Sequence, residues 1–260
     1  MRTETAPVGR GRLAGKTALV TGSTRGLGRT TAEWLAQEGA AIVVSGRDAG
    51  PVAESVAAMQ ALGVDSFGIS ADLARVDEAH RLAHETLARV ERLDILVNNA
   101  GMSLRGNFWD VTDAEWDEQV NVNLRTPFIL AQHAAKHMIA RRIRGRIVNV
   151  STIGAHSCHK DGCVYDAVKG AVEVMTRNMA YELGPHGVSV NCVIPGNIAE
   201  RPGNQPAERK DVYARRIPFG RVGRAEDIAA AVRFFCLPES EFTTGQSLLV
   251  DGAHNSYLPE

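Results

Sequence analysis

A tyrosine and a lysine one helical turn apart are the residues of this sequence best suited to move a proton. Tyr165 and Lys169 stand four positions apart near the start of a predicted helix. Residues at i and i+4 share one helix face, so the phenol and the ammonium point into the same space. A free phenol is a poor base at neutral pH, but a neighbouring cation favours the phenolate. The spacing alone is common; in a suitable site, the pair can donate a proton to a carbonyl oxygen or take one from an alcohol.

A glycine-rich turn follows the first predicted strand. Its glycines are Gly22, Gly26 and Gly28, and a predicted helix begins at Leu27. Glycine allows a sharp turn, a close approach of the backbone to a ligand, and tight packing of helix on strand. The N-terminus of the helix would present N–H groups and its positive dipole end to phosphates. The spacing is G-x-x-x-G-x-G rather than G-x-G-x-x-G, and its place between strand and helix predicts a dinucleotide site.

The end of the second predicted strand favours NADP over NAD. An NAD site usually carries an acid there, which accepts a hydrogen bond from the ribose 2′-hydroxyl. In this sequence the position is Gly46, followed by Arg47, and Arg25 lies in the glycine turn. Two guanidiniums suit a 2′-phosphate. Asp48 is a competing acid one position late, so NAD stays a possible cofactor.

The elements that must position these residues alternate along the chain. Apolar strands separated by helices imply parallel strands that are buried on both faces. Right-handed crossovers then predict an α/β, Rossmann-type doubly wound parallel sheet of about seven strands, with helices on both faces, in a single domain. The predicted strands are 17–21, 41–45, 66–70, 94–98, 146–151, 188–194 and 246–250, and the long predicted helices are 27–38, 52–62, 75–90, 123–142 and 164–183.

Several motifs, in this order, resemble the compact branch of the short-chain dehydrogenase/reductases. The motifs are the glycine turn 21–28, Asn98-Asn99-Ala100-Gly101, Tyr165 with Lys169, Pro195-Gly196, and the ending 244–252. The resemblance covers residues 13–253, which is almost the whole chain. It implies an oxidoreductase that transfers hydride between a nicotinamide and a carbonyl or alcohol carbon.

The resemblance also implies roles for the matching residues. Asn123 would be the catalytic asparagine, holding a water in a proton relay to Lys169, which would also bind the nicotinamide ribose. Asp72 and Leu73 would hold the adenine. The remaining implied cofactor-binding residues are Gly22, Thr24, Arg25, Gly26, Leu27, Gly28, Arg47, Asn99, Ala100, Gly101, Tyr165, Pro195, Gly196 and Ile198.

Two positions depart from the family pattern. The family's substrate-binding serine usually stands thirteen residues before the tyrosine; that position is Thr152, with Ser151 just before it. Threonine carries the same hydroxyl, so Thr152 is expected to act and Ser151 stays the alternative. Glu200 stands where the family often has a threonine that contacts the nicotinamide carboxamide. An ionised glutamate cannot donate a hydrogen bond, so that contact is lost or replaced.

The segment between Thr152 and Tyr165 holds two histidines and two cysteines, which raises the question of a metal site. Their spacing is not a recognised zinc pattern, and the resemblance assigns the segment to the wall of the substrate pocket, so no metal is predicted. A polar wall favours a polar or hydroxylated substrate. The residues expected to face it are Thr152, His156, His159, Asn197 and Glu200.

Hypotheses from different functional classes remain open. The first is an NADP-dependent ketoreductase or alcohol dehydrogenase acting on a polar ketone, a sugar or polyol, or a 3-oxoacyl thioester. The second is a nucleotide-binding protein whose chemistry has decayed, against which Asn123, Tyr165 and Lys169 argue. A metal-dependent hydrolase built on the histidine- and cysteine-containing segment would need bound zinc.

The composition of the chain argues against two classes of binding partner. Lys and Arg total 29 and Asp and Glu total 30, so the charge gives no case for binding nucleic acid or an anionic membrane. No apolar run reaches the roughly 18 residues of a membrane span. Four cysteines in 260 residues suit free thiols in the cytoplasm.

We expect a flexible tail over 1–12 and one domain over 13–260, with a substrate loop at about 197–217. From the resemblance we also expect a homo-oligomer, either a tetramer or a dimer.

Overall fold

A parallel β-sheet forms the centre of the molecule. The computed structural model describes residues 11–199 and 214–256, and these contain seven strands. The strands are β1 (Thr17–Val20), β2 (Ala41–Gly46), β3 (Ser66–Ser70), β4 (Ile95–Asn98), β5 (Arg146–Val150), β6 (Ser189–Pro195) and β7 (Ser247–Val250). Their order is β3-β2-β1-β4-β5-β6-β7, and each neighbouring pair is parallel. The predicted doubly wound α/β sheet is confirmed.

Helices cover both faces of this sheet. In the described ranges the α-helices are α1 (Gly26–Gln37), α2 (Ala49–Ala61), α3 (Val76–Arg89), α4 (Asp113–Val120), α5 (Thr126–Ala140), α6 (Cys163–Leu183) and α7 (Ala225–Cys236). One apolar cluster joins the sheet to α1, α2 and α7, and a second joins it to α3, α5 and α6. The core therefore consists of two layers, one on each face of the strands.

Alternate side chains of one strand enter opposite layers of the core. Ala18 and Val20 of β1 belong to the first cluster, and Leu19 belongs to the second. All three are buried, with at most 2% of their surface exposed. Because a central parallel strand is covered on both faces, its sequence is apolar throughout rather than alternating. This is why the short run 17–20 could be recognised as a strand.

The helix predicted for residues 123–142 is the last part of a longer helical run, which begins at Asp113 and ends at Ala140. The α-helix α4 precedes it, and Asn121–Arg125 form a π-helix between α4 and α5. The N–H of Thr126 bonds the carbonyl of Asn121, five residues back. Pro127 has no N–H, so the carbonyl of Asn123 lacks its usual α-helical donor. Apolar spacing does not reveal this local change in helix type.

Two of the helices, α4 and α7, are not among the predicted elements. In α7, Ile228, Val232 and Phe235 follow helical spacing and are at most 2% exposed. They pack in the same cluster as Ala32 and Leu35 of α1. The helical signal was therefore present in the sequence of α7 itself.

Most of the predicted tail and most of the predicted substrate loop lie outside the described residues. This applies to residues 1–10 of the predicted tail and to residues 200–213 of the predicted substrate loop. Arg12 is described, and its guanidinium lies 2.9 Å from Glu38 Oε1 and 3.1 Å from Glu239 Oε1. In the described part of the chain, no helix is long and apolar enough to span a bilayer.

Candidate active site

The carboxyl ends of β1 and β4 form the centre of the candidate site. These strands are neighbours, yet the chain continues from them toward opposite edges of the sheet, which opens a crevice between their loops. Asn99 Nδ2 donates to the carbonyl of Thr21 at 2.8 Å. The backbone N–H groups of Asn99 and Ala100 both lie 3.0 Å from Thr21 Oγ1. The predicted residues Asn99 and Ala100 are thus joined to the start of the glycine turn.

The glycine turn has the backbone shape that its sequence predicts. Gly22 and Gly26 adopt φ angles of 63° and 52°, which favour glycine. A Cβ on Gly28 would collide with the carbonyl oxygen of Gly22, so this glycine allows α1 to pack against the turn. No side chain caps the N-terminus of α1, where Arg25 is the N-cap residue. Its first N–H groups are therefore available to an anion.

The last residue of β2 packs against the glycine turn. A Cβ on Gly46 would lie 2.5 Å from the side-chain methyl carbon of Thr24 in the glycine turn. Arg25 and Arg47 are both exposed beside this contact, and so is Asp48. The residues predicted to bind the adenosine ribose thus come from two neighbouring loops, and their cationic groups are accessible to an anion.

The residues predicted to hold the adenine follow β3. Asp72 is exposed, and its Oδ1 accepts a hydrogen bond from the N–H of Ala74 at 3.2 Å. Leu73 is 7% exposed, and its carbonyl accepts a hydrogen bond from Thr126 Oγ1 at 3.1 Å. Asn121 Nδ2 donates to the carbonyl of Ala74 at 3.1 Å. The π-helical segment therefore holds this loop next to the crevice.

Asn123 projects from the π-helix and is fully buried. Its Nδ2 donates to the carbonyls of Met102 and Gln119 at 2.8 and 2.9 Å, and its Oδ1 accepts from the N–H of Met102 at 3.1 Å. A Cβ on Gly101 would lie 3.1 Å from Asn123 Oδ1 and 3.4 Å from Lys169 Nζ. The structure therefore brings the predicted residues Asn123, Gly101 and Lys169 together.

Tyr165 and Lys169 face the same side of α6, as their spacing predicts. Lys169 Nζ lies 5.9 Å from the centre of the Tyr165 ring and donates to the carbonyl of Val150 at 2.8 Å. The two residues are 8% and 3% exposed. The bond to Val150 therefore holds the ammonium on the helix face that carries the phenol.

The hydroxyls of Ser151 and Thr152 have different partners. Ser151 Oγ donates toward Glu173 Oε1 at 2.8 Å and toward the carbonyl of Lys169 at 3.0 Å. Thr152 Oγ1 accepts a long contact of 3.5 Å from the N–H of Gly154. Both residues are almost completely buried. The Ser151 proton is therefore engaged by acceptors of α6, whereas the Thr152 contact uses only the acceptor side of its hydroxyl.

The two histidines predicted to face substrate are each paired with a carboxylate of α6. His156 Nε2 lies 2.9 Å from Glu173 Oε2, and His159 Nδ1 lies 2.7 Å from Asp166 Oδ1. The imidazole side chains are 39% and 24% exposed. The centre of the His159 ring lies 6.3 Å from that of Tyr165. Both rings thus combine a fixed orientation with an accessible edge.

The end of β6 supplies the other predicted cofactor residues. Pro195 and Gly196 are buried, and the N–H of Gly196 donates to the carbonyl of Val250 at 3.0 Å. Ile198 is 2% exposed and forms an isolated β-bridge with Gly223. Asn197 is half-buried between them. Glu200, predicted to lie next to the nicotinamide, is outside the described residues.

Sequence reasoning missed the carboxylates Glu173 and Asp166. Glu173 stands one helical turn after Lys169, and Asp166 directly follows Tyr165. Helical spacing could have placed Glu173 on the face of Lys169. The partners of both carboxylates lie in the preceding loop, so only the folded chain identifies them.

The four cysteines of the described residues form no disulfide bond. Cys158 and Cys163 are exposed free thiols, and Cys192 and Cys236 are buried free thiols. Burial raises the pKa of Cys192 and of Cys236 to about 12. Within residues 11–199 and 214–256, no group of three or more His, Cys, Asp or Glu side chains is arranged to hold a metal ion.

Comparison with known proteins gives matches over almost the whole chain. Residues 22–254 match a family model described as enoyl-(acyl carrier protein) reductase. The 3-oxoacyl-[acyl-carrier-protein] reductase FabG of Aquifex aeolicus is 36% identical over 245 residues, which are 93% of this chain and 98% of the relative.

Solved structures with the same fold also span the chain. One, named a short chain dehydrogenase/reductase family protein, has a TM-score of 0.84 at 37% identity and covers 95% of this chain and 100% of its own. Another, named an NAD(P) dependent gluconate 5-dehydrogenase from Beutenbergia cavernae with NADP bound at low occupancy, has a TM-score of 0.86 at 34% identity. That match covers 94% of this chain and 98% of the other.

Proposed function

Because this chain belongs to the short-chain dehydrogenase/reductase family, we propose that it transfers hydride between NADP and a carbonyl or secondary alcohol carbon. One observation carries the proposal: the Lys169 ammonium lies 5.9 Å from the Tyr165 ring centre, beside the crevice between β1 and β4. This arrangement provides a proton donor and acceptor next to a dinucleotide site.

The residues present fit a dinucleotide. The uncapped end of α1 and the glycine turn suit a pyrophosphate. Gly46 leaves no acid at the end of β2, and the exposed Arg25 and Arg47 suit the 2′-phosphate of NADP, while NAD remains the alternative through Asp48. When bound, the nicotinamide supplies or accepts the hydride. The structural relative with bound NADP supports the same preference.

The chain's own residues handle the proton. In the reductive direction Tyr165 donates its phenolic proton to the carbonyl oxygen, and in the oxidative direction it accepts the alcohol proton. Lys169, held by the carbonyl of Val150, keeps its ammonium on the same helix face as the phenol. Asn123 borders Gly101 together with Lys169, where a water between them can carry the proton onward. The Thr152 hydroxyl donates to the substrate oxygen, because its contact with the N–H of Gly154 uses only its acceptor side. The Ser151 hydroxyl instead donates to acceptors of α6.

The substrate is proposed to be a polar ketone or a hydroxylated compound. His156 and His159 present accessible imidazoles, and the His159 ring centre lies 6.3 Å from that of Tyr165. Asn197 follows the end of β6. The gluconate 5-dehydrogenase relative supports this class. A 3-oxoacyl thioester is the second candidate, favoured by the similarity to the FabG relative. Turnover of sugars and polyols compared with acyl thioesters and hydrophobic ketones distinguishes them; a strong preference for the hydrophobic set contradicts the polar class.

Replacement of Tyr165 tests the enzyme proposal. We expect Tyr165→Phe to lower kcat for NADPH-dependent carbonyl reduction by about 10²- to 10⁴-fold, because the proton donor is lost. Tyr181→Phe is the matched control, since Tyr181 lies on the same helix and is 87% exposed. The assay follows NADPH consumption with a panel of carbonyl compounds. Equal rates for wild type and Tyr165→Phe would favour a nucleotide-binding protein without this chemistry.

Assembly and location are proposed along with the activity. A homo-oligomer, a tetramer or a dimer, is supported by exposed apolar side chains on α5 and α6, including Phe128 and Val174 at 47% and 50% exposure. Light scattering measures the oligomeric state directly, and a monomer contradicts the proposal.

The four free thiols support a cytoplasmic location, which cell fractionation tests.

A further inference from the structure

Glu173 is a buried acid that none of the proposed proton-transfer steps uses. It is 6% exposed and lies on α6, one helical turn beyond Lys169. A carboxylate removed from water needs hydrogen-bonding partners, and a buried acid that has them is costly to disturb. The identity of those partners therefore indicates what Glu173 does.

Both carboxylate oxygens of Glu173 hold the segment that carries Thr152. Oε1 accepts from Ser151 Oγ at 2.8 Å, and Oε2 lies 2.9 Å from His156 Nε2. These partners stand on either side of Thr152, at the two ends of the segment 151–156. Just before it, the carbonyl of Val150 accepts from Lys169 Nζ at 2.8 Å. Lys169 and Glu173, on two successive turns of α6, therefore hold the end of β5 and the loop that follows it in place.

The orientation of Thr152 depends on these hydrogen bonds. The side-chain contact of its hydroxyl is the 3.5 Å approach of the N–H of Gly154, which is too long to fix the oxygen firmly. The position of the hydroxyl is therefore set by the backbone of residues 151–156, and that backbone is anchored through Ser151 and His156. A displacement of less than an ångström at a donor to the reacting oxygen is enough to slow catalysis.

We propose that Glu173 is a positioning residue, which clamps the segment 151–156 through Ser151 and His156 and so aims the Thr152 hydroxyl at the substrate oxygen. The catalytic part of this inference rests on the function proposed above. The anchoring part concerns the chain alone and can be measured without a substrate.

Two substitutions of Glu173 separate positioning from general stability. Glu173→Ala removes both anchors, and we expect kcat to fall by about 10- to 100-fold through misplacement of Thr152, with the Kd for NADPH within about twofold of wild type. Glu173→Gln keeps the length and can still bond both partners through its oxygen and amide group. We therefore expect Glu173→Gln to restore most of the lost kcat.

Thr176→Val is the matched control. Thr176 is a fully buried polar residue of α6, and its Oγ1 lies 2.8 Å from the carbonyl of Val172 and 2.9 Å from Asn149 Nδ2. We expect its replacement to lower the thermal midpoint, and neither of these hydrogen-bond partners lies in the segment 151–156. We expect its kcat to stay within about twofold of wild type, as for a change away from the reacting groups. An equal loss of kcat in Thr176→Val, or wild-type kcat in folded Glu173→Ala, overturns the inference.

Amide hydrogen exchange tests the anchoring independently of activity. We expect faster exchange across residues 151–157 in Glu173→Ala than in wild type, and no such change in Thr176→Val. If Glu173→Ala does not fold, Ser151→Ala removes one anchor and is expected to show the same direction in exchange and in kcat. Unchanged exchange in these variants overturns the clamp, whether or not a substrate is found. A wild-type protein inactive with every carbonyl compound contradicts only the proposed function.

Discussion

Lys169 and Asn123 are each held by backbone groups of neighbouring elements. Lys169 Nζ donates to the carbonyl of Val150 at 2.8 Å, and Asn123 Nδ2 donates to the carbonyl of Met102 at 2.8 Å. Because these bonds fix both side chains, little reorganisation is needed when a proton moves. The individual residues are thus arranged by contacts that their own sequence positions do not display.

Cofactor preference is decided at the scale of single residues. We expect Arg47→Asp to raise the KM for NADPH by about 10- to 100-fold, since a hydrogen bond to a charged group contributes about 1.5–3 kcal/mol. The new carboxylate repels a 2′-phosphate and can accept from a 2′-hydroxyl, so the KM for NADH should fall. Steady-state kinetics with both cofactors measure the ratio.

Arg142→Asp is the control for this change of charge. Arg142 is exposed, and it lies in the turn before β5, at the opposite end of the sheet from the glycine turn. Its φ of 53° is a conformation that aspartate tolerates. The control should leave the cofactor ratio unchanged, and an unchanged ratio in Arg47→Asp would refute the assignment of Arg47.

At the scale of elements, the site depends on how closely α1 approaches the glycine turn. Gly28 is buried, and a Cβ there would collide with the carbonyl of Gly22 and with Asn99 Nδ2. Asn99 in turn joins the end of β1 to the end of β4. A helix, a turn and two strands therefore meet at one glycine, and its small size sets the shape of the crevice.

Gly28→Ala should disturb both stability and cofactor binding. We expect the free energy of unfolding to fall by about 1–3 kcal/mol from overpacking, together with weaker NADPH binding because the turn must shift. Gly50→Ala is the control, since Gly50 lies in the first turn of α2 and a Cβ there would meet no neighbouring atom within 4 Å. Alanine there should be neutral or stabilising by up to about 1 kcal/mol. Chemical denaturation and fluorescence titration give both quantities, and an unperturbed Gly28→Ala protein contradicts the packing argument.

At the scale of the whole molecule, a buried acid joins the amino ends of β1 and β4. Asp94 is 2% exposed; Arg92 lies 2.6 Å and Lys16 lies 3.2 Å from its Oδ1. Its Oδ2 accepts from the N–H of Thr17 at 3.1 Å. Burial by itself raises the pKa of Asp94, but the hydrogen bonds from Arg92 and Thr17 outweigh it, so the pKa lies below its ordinary value.

This depressed pKa predicts how stability depends on pH. Because the folded-state pKa of Asp94 is below the unfolded value, the stabilisation is fully present above the unfolded value, near pH 4. It is lost as the pH falls through the folded pKa. We expect Asp94→Asn to lower the free energy of unfolding by about 1–2 kcal/mol at pH 7. The difference from wild type should shrink below about pH 4.

Denaturant unfolding at several pH values measures this difference. Asp77→Asn is the control, because Asp77 also bonds an arginine, Arg75, but both side chains are about two-thirds exposed. An exposed pair is screened by solvent, so that variant should show no comparable change. A pH-independent difference between Asp94→Asn and wild type would contradict the linkage.

The sequence by itself determined the features that depend on neighbouring residues. The run 17–21 predicted the first strand, because the burial of a central strand shows in a few consecutive residues. Gly22, Gly26 and Gly28 predicted the cofactor turn, and Gly22 and Gly26 adopt the positive φ that favours glycine. The i, i+4 spacing of Tyr165 and Lys169 predicted that they share a face, since helix geometry is local. The order of these motifs identified the family.

The tertiary structure alone decided the features that depend on distant residues. It placed Glu173 against Ser151 and His156, so the Ser151 hydroxyl donates to Glu173. It also brought Thr24 next to Gly46, the position at the end of β2 where an NAD site usually carries an acid. These contacts join residues that are separated along the sequence by 17 residues or more. Such pairings are set by how whole helices and strands pack, and no local pattern of residue types encodes them.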